Sequence, residues 1–320
     1  SNQSSEHREC LLRCNVMSTQ TTTDAHTALS QPRTGVAFAA LLAGATCIAL
    51  SPIFVRLSEA GPTATAFWRV ALAVPLLWLL RGLVLRQSAD VTPVPIPAYA
   101  LLAAGVAFAG DLAFWHISIK FTSVANSTLL ANLAVLFVTL AVWVLHGQKP
   151  TRGFTLGLTA ALIGIAMLVA SSVQFSSTAL LGDLLGVMTA MFYAWYILSV
   201  KRLRDAGVHT LHLMAVTTTI TAVLLLPVAL LSGETRWPHS LHGWGVLLGI
   251  AWISHTGGQS LIAWALAHLP AAFSSVSLLL QPVLAGVFAW TLLAEPLSTL
   301  QIVGGMIVLI GIALARRASV

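Results

Sequence analysis

Charge is scarce in this 320-residue chain: Lys, Arg, Asp and Glu make up 8% of it, and 57% of the residues are hydrophobic. A soluble globular protein carries about 25% charged residues, so the composition excludes that class. The net charge of +6 comes from basic residues scattered between apolar runs, which argues against a nucleic-acid-binding surface. Cys10, Cys14 and Cys47 are too few for a disulfide framework.

Motifs of enzyme chemistry are also missing. The chain has no G-x-x-x-x-G-K-[ST] phosphate-binding loop and no nucleophile paired with a base. The histidine pairs His209/His212 and His239/His242 offer two ligands each, where a structural zinc takes four. We therefore expect no metal, no cofactor and no enzymatic activity. A membrane-embedded enzyme using Asp111 with a histidine, and a passive pore, are the rival hypotheses.

Long apolar runs fill the rest of the chain. Each has about 20 residues, enough to cross a bilayer as a helix, and only a helix satisfies the backbone of such a run in lipid. The sequence therefore predicts an all-α integral membrane protein. Its ten predicted spans are 35–56, 62–82, 97–118, 122–146, 153–171, 181–201, 208–231, 241–266, 271–293 and 299–315. Residues 1–33 are predicted to be a flexible polar tail.

The basic residues predict the orientation of these spans, because short cytoplasmic loops are enriched in Lys and Arg. With the N-terminus inside, only Arg56, Lys120 and Arg236 fall outside. We therefore expect a multi-pass protein of the cytoplasmic (inner) membrane with both termini in the cytoplasm. The basic residues on the cytoplasmic side are Arg8, Arg13, Arg33, Arg81, Arg86, Lys149, Arg152, Lys201, Arg202, Arg204, Arg316 and Arg317.

The chain also repeats itself with an offset of 147, which superimposes residues 110–168 on 257–315 without a gap. Gly157 then falls on Gly304, and Gly164 on Gly311. We predict two five-helix repeats, 34–172 and 180–316. Because five is odd, the second repeat enters the membrane from the other side, an inverted arrangement typical of secondary transporters. The glycines of each pair lie two helical turns apart and are predicted to form packing faces.

Short motifs in order along residues 35–315 resemble the drug/metabolite transporter superfamily, EamA type. They are Phe67-Trp68-Arg69, Lys120-Phe121-Thr122-Ser123 with Ala125, Gly182-Asp183-Leu184-Leu185, Gln281-Pro282-Val283 and Leu293-Ala294-Glu295-Pro296. The first half departs from the pattern, with Val135 at the expected proline and Gln148 at the expected glutamate. The hinge Gly147-Gln148-Lys149 is similar to that of YddG-type amino-acid exporters. The resemblance implies a ten-helix carrier of small metabolites, often an exporter.

Polar residues within the spans are the candidates for a transport pathway, because burying an ionisable group in lipid costs about 2.5–3.5 kcal/mol. Their spacing favours a shared face, as for Asp111 with Trp115 on one predicted helix. For each, packing or a hydrogen bond between helices is the alternative. The candidates for lining a substrate cavity are Asp111, Trp115, His116, Ser127, Asn132, Tyr193, Tyr196, Trp252, His255, Gln259 and Gln281.

Four further residues are assigned structural or gating roles. Arg69 lies well inside a span, and a structural pairing is favoured over contact with a substrate. Asp183 is predicted in the first turn of its helix, where the positive helix end favours an acid. Pro282 is expected to free a backbone carbonyl for gating or binding, and Glu295 lies at the end of a span.

These features predict a monomeric secondary transporter that exports small metabolites through a central cavity by alternating access. An aromatic-lined cavity with amides and a carboxylate suits a solute of amino-acid size, so amino acids are the preferred substrates. Exporters of drugs or nucleoside-type metabolites are the alternative within the same superfamily. The lipid bilayer and the small-molecule substrate are the expected partners, and nucleic acid is not.

Overall fold

The computed structural model describes residues 34–87, 97–122, 124–170 and 177–318, and within these ranges it contains helices and turns but no strand. The predicted tail, with Cys10 and Cys14, lies outside the described residues. The prediction of an all-α membrane protein is confirmed. The helices are α1 Thr34–Leu57, α2 Pro62–Val84, α3 Ala98–Ser118, α4 Ser127–His146, α5 Arg152–Leu168, α6 Leu180–Asp205, α7 Thr210–Leu231, α8 Leu241–Ala265, α9 Ala271–Leu293 and α10 Thr299–Arg317.

All of these helices except α5 are long and apolar enough to cross a membrane, and α5 is a shorter apolar helix. Several of them are interrupted. The helix α4 has a turn at Leu133, and α9 consists of two segments, Ala271–Ser277 and Leu280–Leu293. The middle of α8, Ile250–Gln259, is π-helical. Departures from the regular α-helix, π-helical turns in particular, are frequent at functional sites.

The proline in α9 does not leave a free carbonyl, contrary to the expectation. Pro282 has no N–H to donate to the carbonyl of Leu278. The N–H of Gln281 donates to that carbonyl instead, at 3.0 Å. The irregular turn therefore satisfies its own backbone, as a segment within lipid must.

The helices α5 and α10 pack with their backbones in contact. A Cβ atom added to Gly157 would lie 2.5 Å from the Ala315 nitrogen, and one added to Gly164 would lie 2.6 Å from the Gly304 oxygen. Along this contact, residue numbers increase on α5 in the direction in which they decrease on α10, so the two helices are antiparallel. The glycine packing faces predicted from the sequence are confirmed.

Two carboxylates tie together the hinges at one end of the bundle, here called the Glu59 end. Glu234, between α7 and α8, accepts from the N–H of Thr63 at 2.8 Å and from its hydroxyl at 3.0 Å, and pairs with Lys120 at 2.9 Å. Glu59, between α1 and α2, accepts from the N–H of His239 at 2.7 Å and from the hydroxyl of Ser240. Each acid thus caps the start of a helix in the other half of the chain, Glu234 at α2 and Glu59 at α8.

The opposite end, here called the Arg316 end, contains the C-termini of α2, α4, α6 and α10. There the Nε of Arg81 donates to the Nδ1 of His212 at 3.0 Å. The hydroxyl of Thr151 donates to the carbonyl of Ala318. Side-chain contacts thus join neighbouring helices at this end as well.

Replacing the capping acid, Glu234→Gln, is expected to destabilise the protein by about 1–2 kcal/mol at pH 7, because it removes a charge-assisted cap. Partial burial raises the pKa of Glu234, but the hydrogen bonds from Lys120 and Thr63 outweigh it and lower that pKa below the ordinary 4.5. The stabilisation is therefore present above pH 4.5 and is lost as the pH falls through the depressed pKa.

Thermal unfolding of the wild type and Glu234→Gln in detergent, from pH 7 down to pH 3.5, measures both effects. The difference in melting temperature should narrow at the acid end. Asp205→Asn, which removes a half-exposed i,i+4 partner of Lys201, is the control and should change stability by no more than about 0.5 kcal/mol. An equal loss in both variants would contradict the capping role.

An added methyl group at the contact of α5 and α10 is expected to lower the melting temperature strongly. In Gly311→Ala the new Cβ would lie 2.5 Å from the Ala161 nitrogen and 2.6 Å from the Gly157 oxygen, so one helix must shift. Gly82→Ala, where nothing lies within 4 Å, is the matched control and should be neutral or slightly stabilising. A neutral Gly311→Ala would show that this contact is loose.

Candidate functional site

A central cavity of about 120 Å³ lies between α1, α2, α3, α4, α6, α8 and α9. Two irregular stretches adjoin it: Gln259 ends the π-helical stretch of α8, and Gln281 and Pro282 follow the break in α9. Eight of the residues singled out from the sequence line it together. They are Arg69, Asp111, Trp115, Asn132, Tyr193, Gln259, Gln281 and Pro282.

Several polar atoms of this lining have no hydrogen-bond partner within the described residues. They are Nε of Arg69, Oε1 of Gln259, Nε2 of Gln281 and the hydroxyl of Ser51. Arg69 is 5% exposed and Gln259 is 3% exposed. A buried polar group without a partner is costly, by about 1–3 kcal/mol, so this arrangement is suited to a polar solute that supplies the missing partners.

Arg69 on α2 and Asp111 on α3 bring opposite charges to the cavity. Within the described residues, no ion pair of 4 Å or less joins them. Both charges therefore face the same space without neutralising each other at contact distance. A solute carrying a positive and a negative group fits between such charges better than a neutral one.

The cavity adjoins a vestibule of about 160 Å³ that leads towards the Glu59 end. Pro52, Thr128, Pro282 and Ala285 line both spaces. At the far side of the vestibule Glu295 forms an ion pair with Arg56, which joins the hinge between α9 and α10 to the end of α1.

Aromatic rings close the other side of the cavity. Tyr193 lines it, and the ring of Tyr196, one turn closer to the Arg316 end, stacks 6.3 Å from Tyr193. Tyr196 in turn packs 4.6 Å from Phe108 and is 3% exposed. The side chains between Tyr193 and the Arg316 end are thus closely packed.

The EamA-like transporter family matches residues 34–170 and again residues 180–317. This chain belongs to the EamA-like transporter family. An uncharacterized transporter of Archaeoglobus fulgidus is 27% identical over 82% of the chain and 91% of that protein. The pseudopaline exporter CntI of Pseudomonas aeruginosa is 26% identical over 87% of the chain and 94% of the relative. A solved crystal structure has the same fold, with a TM-score of 0.75 and 17% identity over 89% of this chain and 98% of the other.

In this EamA-like transporter, three of the predicted cavity residues lie in the packed core instead of the lining. The Nδ1 of His116 is 2.8 Å from the Leu112 carbonyl, within its own helix. Ser127 is fully buried. Tyr196, in the aromatic stack, donates to the sulfur of Met214 at 3.8 Å.

The π-helical stretch of α8 separates three residues that an α-helix would place on one stripe. Trp252 is 48% exposed and its indole donates to the Leu72 carbonyl at 3.2 Å. The Nε2 of His255 lies 2.9 Å from the Thr218 hydroxyl in the core. Of the three, Gln259 lines the cavity. Because a π-helix bonds residue i to i+5, residues three and seven apart no longer share a face.

Asp183 lies deeper in its helix than predicted. The helical segment Ser177–Asp205 extends α6 by three residues at its start, so the carboxylate is in the second turn of that segment rather than the first. The interaction with the helix dipole weakens beyond the first turn, and the argument for Asp183 from the helix end does not hold.

The sequence analysis missed Ser51 and Thr189, which also line the cavity. Ser51 stands beside Pro52 at the turn in α1, and a Ser-Pro pair within an apolar run was a signal that could have identified it. Thr189 offered no such signal, because its hydroxyl donates to the Leu185 carbonyl at 3.0 Å like many other threonines in spans. No group of three or more metal-ligating side chains occurs in the described part of the chain.

Proposed function

We propose that this protein is a secondary transporter that exports amino acids from the cytoplasm by alternating access around the central cavity. The observation that supports this substrate class is the pair of opposite charges, Arg69 and Asp111, lining one cavity without a direct ion pair. The α-carboxylate of an amino acid binds the Arg69 guanidinium, and its ammonium group binds the Asp111 carboxylate. The amides of Gln259 and Gln281 supply the remaining polar contacts.

Two inverted repeats provide the two alternating states. The offset of 147 pairs Gly157 with Gly304 and Gly164 with Gly311. The contact between Gly157 and Gly311 therefore has a counterpart between Gly304 and Gly164, and both contacts occur. Antiparallel packing of α5 and α10 supports a twofold relation in the plane of the membrane. The remaining helices of the two repeats rock about this pair and expose the cavity to each side of the membrane in turn.

Export is the proposed direction, with the Glu59 end outside and both termini in the cytoplasm. The distribution of Lys and Arg supports this orientation. In it, the vestibule opens to the exterior and the Tyr193–Tyr196 stack closes the cytoplasmic side. The name of the Pseudomonas relative, an exporter, agrees with the direction.

Substrate analogues test the charge pair. In proteoliposomes, counterflow of a neutral amino acid should fall about tenfold or more in Arg69→Gln and Asp111→Asn, because each loses a charge-assisted hydrogen bond of about 1.5–3 kcal/mol. Arg69→Gln should also lose discrimination against the amine that lacks the carboxylate. Asp111→Asn should lose discrimination against the acid that lacks the amino group.

Lys149→Gln and Asp205→Asn remove one charge of each sign at exposed positions away from the cavity and serve as controls. They should transport like the wild type. If wild-type protein exchanges nucleosides or cationic drugs and not amino acids, the substrate proposal fails while the transporter assignment stands. Conversion of the solute to a product would favour the enzyme hypothesis.

Cysteine accessibility tests the orientation. In a variant without its native cysteines, Thr235→Cys at the exposed hinge between α7 and α8 should react with a membrane-impermeant maleimide in intact cells. Gln148→Cys, exposed at the hinge between α4 and α5, should react only after the membrane is made permeable. The reverse pattern would show the opposite orientation, in which the vestibule faces the cytoplasm.

A further inference from the structure

A second groove lies on the outer surface of the bundle at the Arg316 end, between α1, α9 and α10, with a volume of about 600 Å³. Its walls are apolar and include Phe38 and Leu42 of α1, Leu280 of α9, and Leu309 and Ile312 of α10. Arg316 and Arg317 line its rim at the Arg316 end of the bundle. We call this surface the Arg316 groove.

The charge of the Arg316 groove has one sign. Its lining contains two arginines and no carboxylate. The guanidinium of Arg316 lies 4.3 Å from the centre of the Phe38 ring, and both arginines are exposed. Within the part of the chain that the structure describes, neither arginine forms an ion pair. Arginine presents its donors in a fork that matches phosphate geometry, so the rim is suited to a phosphate group.

The groove has the dimensions of a lipid segment. Leu309 and Arg316 are seven residues apart on α10, a rise of about 10.5 Å along a helix. The apolar wall thus continues for two turns from the arginines towards the middle of the bundle. One molecule that joins an anionic head to a hydrocarbon chain satisfies both parts of the surface.

We propose that the Arg316 groove binds an acidic phospholipid, with its phosphate at Arg316 and Arg317 and an acyl chain against Leu309 and Phe38. Basic pockets between helices at the cytoplasmic face bind such head groups. The Arg316 end is the cytoplasmic end in the orientation proposed above. Lipid binding itself does not depend on which solute is transported.

A neighbouring groove makes a useful comparison. It lies at the same end between α4, α6 and the hinge before α9, and its lining includes Lys201, Arg202 and Asp205. There Lys201 donates to Asp205 at 2.6 Å, so part of its positive charge is neutralised. The Arg316 groove contains no such acid and is the stronger site for an anion.

The Arg316 groove and the central cavity share one turn of α9. Leu280 lines the groove and Gln281, the next residue, lines the cavity. A lipid in the groove therefore packs against the turn that positions a substrate-facing amide. Any effect of the lipid on transport rests on the proposed function, whereas its binding does not.

Native mass spectrometry of the full chain, with phosphatidylglycerol and phosphatidylcholine added in equal amounts, tests the binding. The wild type should retain phosphatidylglycerol preferentially. The double variant Arg316→Gln/Arg317→Gln should lose that retention about tenfold or more. Ala313 also lines the groove and is exposed. Ala313→Trp, which fills the groove and leaves both arginines in place, should lose the retention as well.

Lys149→Gln/Arg152→Gln is the matched control, since both residues are exposed at the same end and do not line the groove. It should retain the lipid like the wild type. Equal retention by the Arg316→Gln/Arg317→Gln variant, or an equal loss in the control, would overturn the proposal. So would a dimer mass that disappears in the groove variants, because it would assign the surface to a second copy of the chain.

Discussion

Hydrocarbon can neither donate nor accept a hydrogen bond, and this property of the solvent governs the placement of polar side chains in the bundle. Threonines within the spans donate to the carbonyl four residues earlier, as Thr139 does to Val135 at 2.8 Å and Thr159 to Thr155 at 2.9 Å. Polar atoms that lack such a partner stand out against this rule. Within the described residues, four of the ten such buried atoms belong to residues that line the central cavity, where a polar solute can supply the missing partners.

The sequence was sufficient for the helices, because a run of about 20 apolar residues has one solution in lipid. It also placed Asp111 and Trp115 in the cavity, since α3 is a regular helix and residues four apart share its face. Prediction failed where a helix departs from the α period. Trp252 lies away from the face of Gln259 because α8 is π-helical at Ile250–Gln259, and an apolar pattern carries no warning of that change.

The helix α9 connects three features of the molecule. Its break at Leu278–Leu279 adjoins Leu280 in the Arg316 groove, Gln281 in the cavity and Pro282 at the boundary with the vestibule. None of the residues Leu280–Leu293 is buried inside the bundle, so the segment after the break faces open spaces and the surrounding lipid. The break in α9 therefore lies where the cavity, the vestibule and the Arg316 groove meet.

The glycine contact between α5 and α10 has a consequence for how such a chain arises. Each helix presents to the other the same surface, at Gly157 and Gly164 on one side and at Gly304 and Gly311 on the other. A surface of this kind is isologous, meaning that it mates with an upturned copy of itself. Under the proposed inverted repeat, a single five-helix unit would therefore already carry, on its fifth helix, a face able to pair with an upturned copy of itself.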